Sequence, residues 1–321
     1  MGKKHIVMDI GGSKILGAVM DEDNKILIRV KKKTRPELGV EAVEKRIAET
    51  VLELLKQAGL QKSDIAAVGA GAPGVIDTEK GIILFSPNIP WREYPLGPNM
   101  ERATGLPFVV GNDVNTGVLG EWKYGAAKGF SHVVGIFAGT GIGGGVIIDN
   151  KLFTGSRFAG TELGHMILNT EGPYCNCGQR GCLEAYTGKH AITREIRSMI
   201  VRGAKSNLLE SMDAEDATVK SGALAKAVKA GDPVAVAVLD RVGYYLAAGI
   251  GNLINIFNPE VFILGGGVTE ATETELMPIV QRYLPLFAWP AMLSEVSFRA
   301  SALKDDAILY GAKALVLENG H

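Results

Sequence analysis

The chain has 321 residues, which at roughly 150 residues per domain points to two domains and excludes a peptide or a single small module. Lys and Arg number 34 against 35 Asp and Glu, a net charge of −1 without a long block of either sign, so nothing here draws the chain to nucleic acid or an anionic membrane surface. Hydrophobic residues at 46% and charged ones at 21% belong to a folded globular chain, while 41 glycines are about twice the usual share, so many turns must approach something closely.

Ile6-Val7-Met8 is a short apolar run that ends in Asp9-Ile10-Gly11-Gly12. Ile15 to Met20 and Ile26 to Ile28 follow around a turn at Asp21 to Asn24, so the pattern predicts a meander of strands. Val40, Val43, Ile47, Val51, Leu54 and Leu55 recur at helical spacing, and Gly59 stands where a C-terminal cap belongs. Ile65 to Val68 and Pro107 to Val110 read as strands feeding the turns Gly71-Ala72-Pro73-Gly74 and Gly111-Asn112-Asp113. Strands alternating with helices make the class α/β. A second meander starts at Val133. At an offset of 127, Gly11-Gly12-Ser13 falls on Ala138-Gly139-Thr140, Gly17 on Gly144 and Val19 on Val146, the mark of one strand, turn and strand unit present twice. Helical patterns cover Ala185 to Val201 and Val234 to Phe257, a strand from Val261 to Leu264 precedes Gly265-Gly266-Gly267, and a helix from Ala307 to Glu318 closes the chain.

Both hairpins put small residues at a strand end, Gly11-Gly12-Ser13-Lys14 and Gly139-Thr140-Gly141. Their N–H groups and hydroxyls could clamp a polyphosphate, although either turn alone would serve as a plain hairpin. Asp9 beside the first loop calls for a cation, and Mg2+ held through water is the expectation. Asn112-Asp113 ends a strand on its carboxyl side, where ligands bind in α/β proteins; Asp113 is either a general base for an attacking hydroxyl or the cap of a helix beginning at Val114. His165 with Cys175, Cys177 and Cys182 is the donor set of a closed, structural Zn2+ site, and Gly178 and Gly181 let the knuckle fold tightly. Glu162 lies one helical turn before His165 and Glu184 two residues after Cys182, so the metal would fix two carboxylates suited to the vicinal hydroxyls of a sugar. With all three cysteines in one metal-type cluster, a reducing, cytoplasmic setting is expected. The uncharged stretch Phe130 to Ile148 contains six glycines and reads as strands and turns, so no membrane span is expected. No signal peptide is expected either, because Asp9 and Gly11-Gly12 interrupt the N-terminal apolar run.

On these residues the chain resembles the ROK family of bacterial sugar kinases and related repressors, within the actin, hexokinase and heat-shock chaperone ATPase superfamily. The resemblance covers essentially the whole chain. Asp9 to Lys14 resembles the family's first phosphate motif, with Ser13 where Thr is usual, and Gly139 to Gly145 resembles the second. Asn112-Asp113-Val114-Asn115 resembles the segment of the catalytic base, and Glu162-Leu163-Gly164-His165 with Cys175 to Glu184 resembles the sugar and zinc signature. What this implies is a two-lobed actin/hexokinase-like fold, a duplicated ribonuclease H-like architecture with a cleft between the lobes and a small zinc knuckle. The lobes are expected at 1–116 plus 304–321 and at 117–303.

The implied activity is transfer of the γ-phosphoryl of ATP to a hexose hydroxyl, O6 of glucose first. N-acetylmannosamine, another N-acetylhexosamine or fructose is the alternative substrate, and a sugar sensor without catalysis the alternative role. By the same resemblance Gly74, Asn112, Asp113, Glu162, His165 and Glu184 contact sugar, and Asp113 is the catalytic base. ATP and Mg2+ fall to Asp9, Gly11, Gly12, Ser13, Lys14, Gly139, Thr140 and Gly141, with Gly265, Gly266 and Gly267 approaching the adenosine. His165, Cys175, Cys177 and Cys182 hold zinc. Repressor relatives carry an added N-terminal helix-turn-helix, for which a first strand starting near His5 leaves no room, so an enzyme is expected. A homodimer or higher homo-oligomer is expected, with no nucleic-acid or membrane partner.

Overall fold

The computed structural model describes residues 2–213 and 217–321, which form two five-stranded sheets and a three-stranded one. β1 (Lys4–Ile10), β2 (Lys14–Met20) and β3 (Ile26–Lys33) make the first meander, and β4 (Ile65–Ala72) returns parallel to β1 after the helix Val40–Ala58. Helices cover both faces of this sheet, which is why β1 and β4 are apolar almost without alternation. Val43, Ile47, Val51, Leu54 and Leu55 turn one stripe of the helix onto the sheet. Gly59, at φ 64°, ends it by donating to the carbonyls of Leu55 and Lys56, as the sequence predicted.

β5 (Val75–Asp77), β6 (Ile82–Phe85) and β7 (Arg92–Tyr94) form the small antiparallel sheet. The helix Leu96–Thr104 follows, and β8 (Phe108–Asn112) joins the first sheet parallel to β4. The small sheet and its helix are additions to the sequence reading: strands of three or four residues are too short to show a period, and Gly97 and Pro98 disguise the helix. β9 (Val133–Ala138), β10 (Ile142–Ile148) and β11 (Lys151–Phe153) make the second meander, extended in parallel by β12 (Val261–Gly265) and β13 (Ser297–Ala300).

The strand orders β3-β2-β1-β4-β8 and β11-β10-β9-β12-β13 are one topology used twice, so the repeat seen in the sequence is a structural duplication. Its alignment needs one correction. Ile10 pairs with Ile15 in the first hairpin but Ala138 with Ile142 in the second, whose turn is therefore one residue shorter. The offset of 127 holds for the returning strands, whereas the leading strands are offset by 128 and Gly11 corresponds to Gly139.

The helices Asp113–Tyr124 and Ala307–Glu318 lie between the two sheets. One apolar cluster holds Ala67 and Val109 of the first sheet, Val133, Ile147, Val261 and Ile263 of the second, and Val118, Leu119, Leu315 and Val316 of these helices. The pair crosses at backbone distance: a Cβ on Gly311 would collide with the carbonyl of Thr116, and one on Gly120 with the carbonyl of Ala307. Glu121, fully buried, ties the crossing to the chain before the last helix. It accepts from Ser301 Oγ at 2.6 Å and Leu303 N at 2.8 Å on one oxygen, and from Ala126 N at 2.8 Å and Ala302 N at 3.2 Å on the other. Elsewhere the predicted helix from Ala185 is two pieces, Glu184–Thr187 and Lys189–Val201, because Gly188 is extended between them. The helix Pro233–Phe257 is long and apolar enough to cross a membrane, but its residues Val234 to Ile254 fill the core of the second sheet.

A methyl group at the crossing has nowhere to go. Gly311→Ala should therefore lower stability by about 1–3 kcal/mol, read as a shifted urea midpoint, and an unchanged midpoint would show that the helices separate freely.

Candidate functional site

The carboxyl ends of β4, β8 and β9 and the first turn of the helix Asp113–Tyr124 face a cavity of about 780 Å3 between the sheets. All six residues expected to contact sugar line it: Gly74, Asn112, Asp113, Glu162, His165 and Glu184. Gly74 sits at φ 114°, where a Cβ would collide with the carbonyl of Phe85, so glycine is obligatory. Its carbonyl accepts from Asn112 Nδ2 at 3.0 Å. Asn112 Oδ1 accepts from Asn115 N at 2.9 Å, which makes Asn112 the helix cap and leaves Asp113 as the first helical residue. The capping alternative for Asp113 thus falls to its neighbour.

Asp113 Oδ1 accepts from its neighbour's N–H, Val114 N, at 2.9 Å. Burial raises its carboxyl well above the ordinary range against the pull of that hydrogen bond, and Glu162 pushes the same way. Glu162 is itself raised by burial, with His165 opposing and Glu184 reinforcing. Glu184 opens a short helix and uses Oε2 to accept from Ile142 N at 2.9 Å, so it braces the second hairpin while its other oxygen lies 3.3 Å from Cys175 Sγ. The donor atoms of His165, Cys175, Cys177 and Cys182 lie within 4.8 Å of one another. Cys177 and Cys182 sulfurs are 3.8 Å apart, and Cys175 Sγ is 3.7 Å from His165 Nδ1. Tetrahedral zinc with bonds of about 2.3 Å to sulfur sets its ligands about 3.8 Å apart, so the donor set fits.

The expected phosphate residues divide. Gly139, Thr140, Gly141 and Gly266 line the same cavity. Asp9, Gly11, Gly12, Ser13, Lys14, Gly265 and Gly267 are not among the residues that line it. Thr34, fully buried, braces the first turn by donating from Oγ1 to Gly11 O at 2.6 Å and from its N–H to Ser13 O at 2.9 Å. A Cβ on Gly12 would lie 3.2 Å from that of Asn88, a cavity residue, so the first turn borders the cavity there. Gly266, at φ 88°, lies on the end of β9, where a Cβ would come within 2.6 Å of Ala138 N. Asp9 interacts unfavourably with Asp113 and Asp305 and favourably with Lys14; with burial the largest cause, its carboxyl is pushed up to about 6.

Sequence reasoning missed Asn88, Asn115, Phe158 and Thr161, which also line the cavity. Asn88 stands between Ile89 and Trp91, both buried, and Ser86, whose N–H donates to Trp91 O at 3.1 Å. The Ser-Pro-Asn-Ile-Pro run is turn-forming in composition, and composition does not say what such a turn faces.

Residues 5–319 match the profile of the ROK family. A glucokinase of Thermotoga maritima is 38% identical over 98% of this chain and 98% of its own length. The crystal structure of a ROK family glucokinase from Streptomyces griseus, in complex with glucose and AMPPNP, superposes with a TM-score of 0.82 at 34% identity, covering 97% of this chain and 98% of that one. This chain belongs to the ROK family. A ROK family transcriptional regulator, a homologue of the E. coli MLC protein, is similar over 99% of this chain but only 78% of its own, with a TM-score of 0.88 and 27% identity.

In this ROK protein the crowding of carboxylates has a measurable cost. Asp9 titrates near 6 when folded against an ordinary 3.8, so its charge penalises the fold fully above pH 6 and progressively less toward pH 4. Asp9→Asn should raise Tm at pH 8, without added Mg2+, and by clearly less at pH 5. A gain that is equal at both values, or a loss at pH 8, would mean that Asp9 is already satisfied.

Proposed function

We propose that this protein is an ATP-dependent hexose kinase that transfers the γ-phosphoryl of ATP to O6 of glucose. The observation that carries the reading is the Asp113 carboxyl, made basic by burial, in one cavity with Glu162, His165 and Glu184 and with the Gly139-Thr140-Gly141 turn. The Thermotoga and Streptomyces relatives support glucose and ATP as its substrates.

Gly74 O, Asn112, Glu162, His165 and Glu184 accept and donate around the sugar ring, and Asp113 faces the reacting hydroxyl. Asp113 accepts the hydroxyl proton as O6 forms its bond to the γ-phosphorus and the bridging bond to the β-phosphate breaks, releasing ADP. A base above the ordinary carboxylate range suits that step. The two hairpin turns orient the phosphates in line, and Gly265 to Gly267 approach the adenosine. Asp9, with a carboxyl raised by burial and by Asp113, is the residue that gains most from a divalent cation, and Mg2+ beside it neutralises phosphate charge. The lobes 1–116 plus 304–321 and 117–303 close on the sugar and exclude water, which otherwise competes as acceptor. His165 Nδ1 and the three cysteines would hold zinc, which would leave Nε2 free for a sugar hydroxyl and fix that tautomer. Thiols kept reduced as ligands fit a cytoplasmic setting, and a homodimer or higher homo-oligomer belongs to the same reading.

A coupled ADP-release assay over hexoses and N-acetylhexosamines, with and without Mg2+, tests the activity. Glucose should give the highest kcat/KM, and Asp113→Asn should cut kcat by about 10² to 10⁴ while glucose still binds. In the wild type kcat should fall as pH drops through the raised range of Asp113, because the protonated carboxyl accepts nothing. A variant within a few-fold of the wild type, or a better N-acetylhexosamine, overturns the base or the substrate respectively. For the metal, elemental analysis should find one zinc per chain. His165→Cys should keep it yet lower kcat/KM by about 10- to 100-fold, the loss of one polar contact; unchanged kcat/KM would make His165 a structural ligand alone.

A further inference from the structure

The segment that carries Glu162 is held in an unusual way. Thr161 has φ 66°, in the left-handed region, where a β-branched residue is disfavoured most. Its carbonyl accepts from Leu163 N at 2.7 Å, and Glu162 between them, at φ −71° and ψ 59°, is the centre of an inverse γ-turn. The direction in which Glu162 leaves the backbone is therefore set by Thr161. A glycine would take this conformation without strain, so what threonine adds is its side chain. Thr161 Oγ1 donates its one proton between two acceptors, Asn115 Oδ1 at 2.9 Å and Gly160 O at 2.6 Å. Asn115 is buried, and its own N–H is held by Asn112 Oδ1. It stands two residues after Asp113 on the same helix, while the loop of Thr161 follows β11 of the other sheet.

We propose that Thr161 is a positioning residue of the sugar site, whose hydroxyl pins the Glu162 turn to Asn115 and so fixes that carboxylate relative to the base. The proposal rests on the kinase reading. Its signature is a change in sugar affinity, because Glu162 acts on the sugar and Thr161 acts through Glu162. Nucleotide handling, assigned to the two hairpin turns, stays as it is.

Thr161→Val keeps the branched shape and removes the hydroxyl; Thr161→Ser keeps the hydroxyl; Thr161→Gly frees the backbone and drops the hydroxyl. We expect glucose KM to rise at least about tenfold in the Val and Gly variants, with kcat lowered less and ATP KM within about twofold, and the Ser variant to stay within about threefold of the wild type. Thr161→Gly should at the same time unfold no earlier than the wild type, since it relieves the left-handed strain. Glucose KM within twofold in Val and Gly overturns the proposal, and a Ser variant as impaired as Val shows that shape, not the hydroxyl, matters. Should the Val variant fail to fold, the Gly and Ser pair gives the same comparison. Glucose binding is measured calorimetrically in parallel. A wild type that binds glucose but phosphorylates nothing refutes the kinase reading and leaves the affinity comparison in force; one that binds no glucose refutes both.

Discussion

The crossing of the helices Asp113–Tyr124 and Ala307–Glu318 is the contact on which the rest depends. Each sheet buries a face against this pair, so the pair is the contact through which the two sheets and the cavity between them are joined. Gly120 and Gly311 allow the backbones to touch, and contact at that distance leaves little freedom for the helices to slide. Glu121 adds a polar constraint to the steric one. A buried carboxylate that accepts four hydrogen bonds is fully compensated, and all four come from chain segments that flank the helix ends. Because Asp113 begins one of the two helices, the same packing that joins the sheets also places the residue proposed as general base.

The cavity gathers acidic groups that repel one another. Asp9, Asp113, Glu162 and Glu184 all lie in or beside it, with burial raising the first three. Carboxylates gathered in this way stand against their own electrostatics, and under the proposed function sugar hydroxyls and a divalent cation would relieve it. The fold tolerates the arrangement because each carboxylate is tethered by chain that has another task. Glu184 braces Ile142, Asp113 accepts from Val114 N, and Glu162 is the centre of the turn closed by Leu163 N and Thr161 O.

Much of this was legible in the residues themselves. The amphipathic helix Val40–Ala58 with its Gly59 cap, the two hairpins and the cysteine cluster all carry local signals, periodic or compositional, that survive folding unchanged. What escaped notice depends on distant partners. Asn88 is a turn residue until Gly12 is found beside it, and Thr161 shows its importance only through a backbone angle and a contact with Asn115. The missing residue in the second hairpin turn belongs to the same class, since only the pairing of Ala138 with Ile142 reveals where the gap falls. Asn112, not Asp113, caps the helix because its backbone is still extended, a distinction of one residue that composition does not resolve.

The two hairpins also differ in the residues at equivalent positions, and this bears on symmetry. In the paired registers Asp9 opposes Leu16, and the equivalent pair in the second hairpin is Phe137 with Gly143. A duplicated fold places two like strand ends about a pseudo-twofold axis, and a ligand lying across them would meet two equivalent surroundings. Here one end offers a carboxylate and the other an aromatic ring that lines the cavity. The divergence of these two positions makes the strand ends chemically distinct in a frame that is otherwise built from two copies of the same unit.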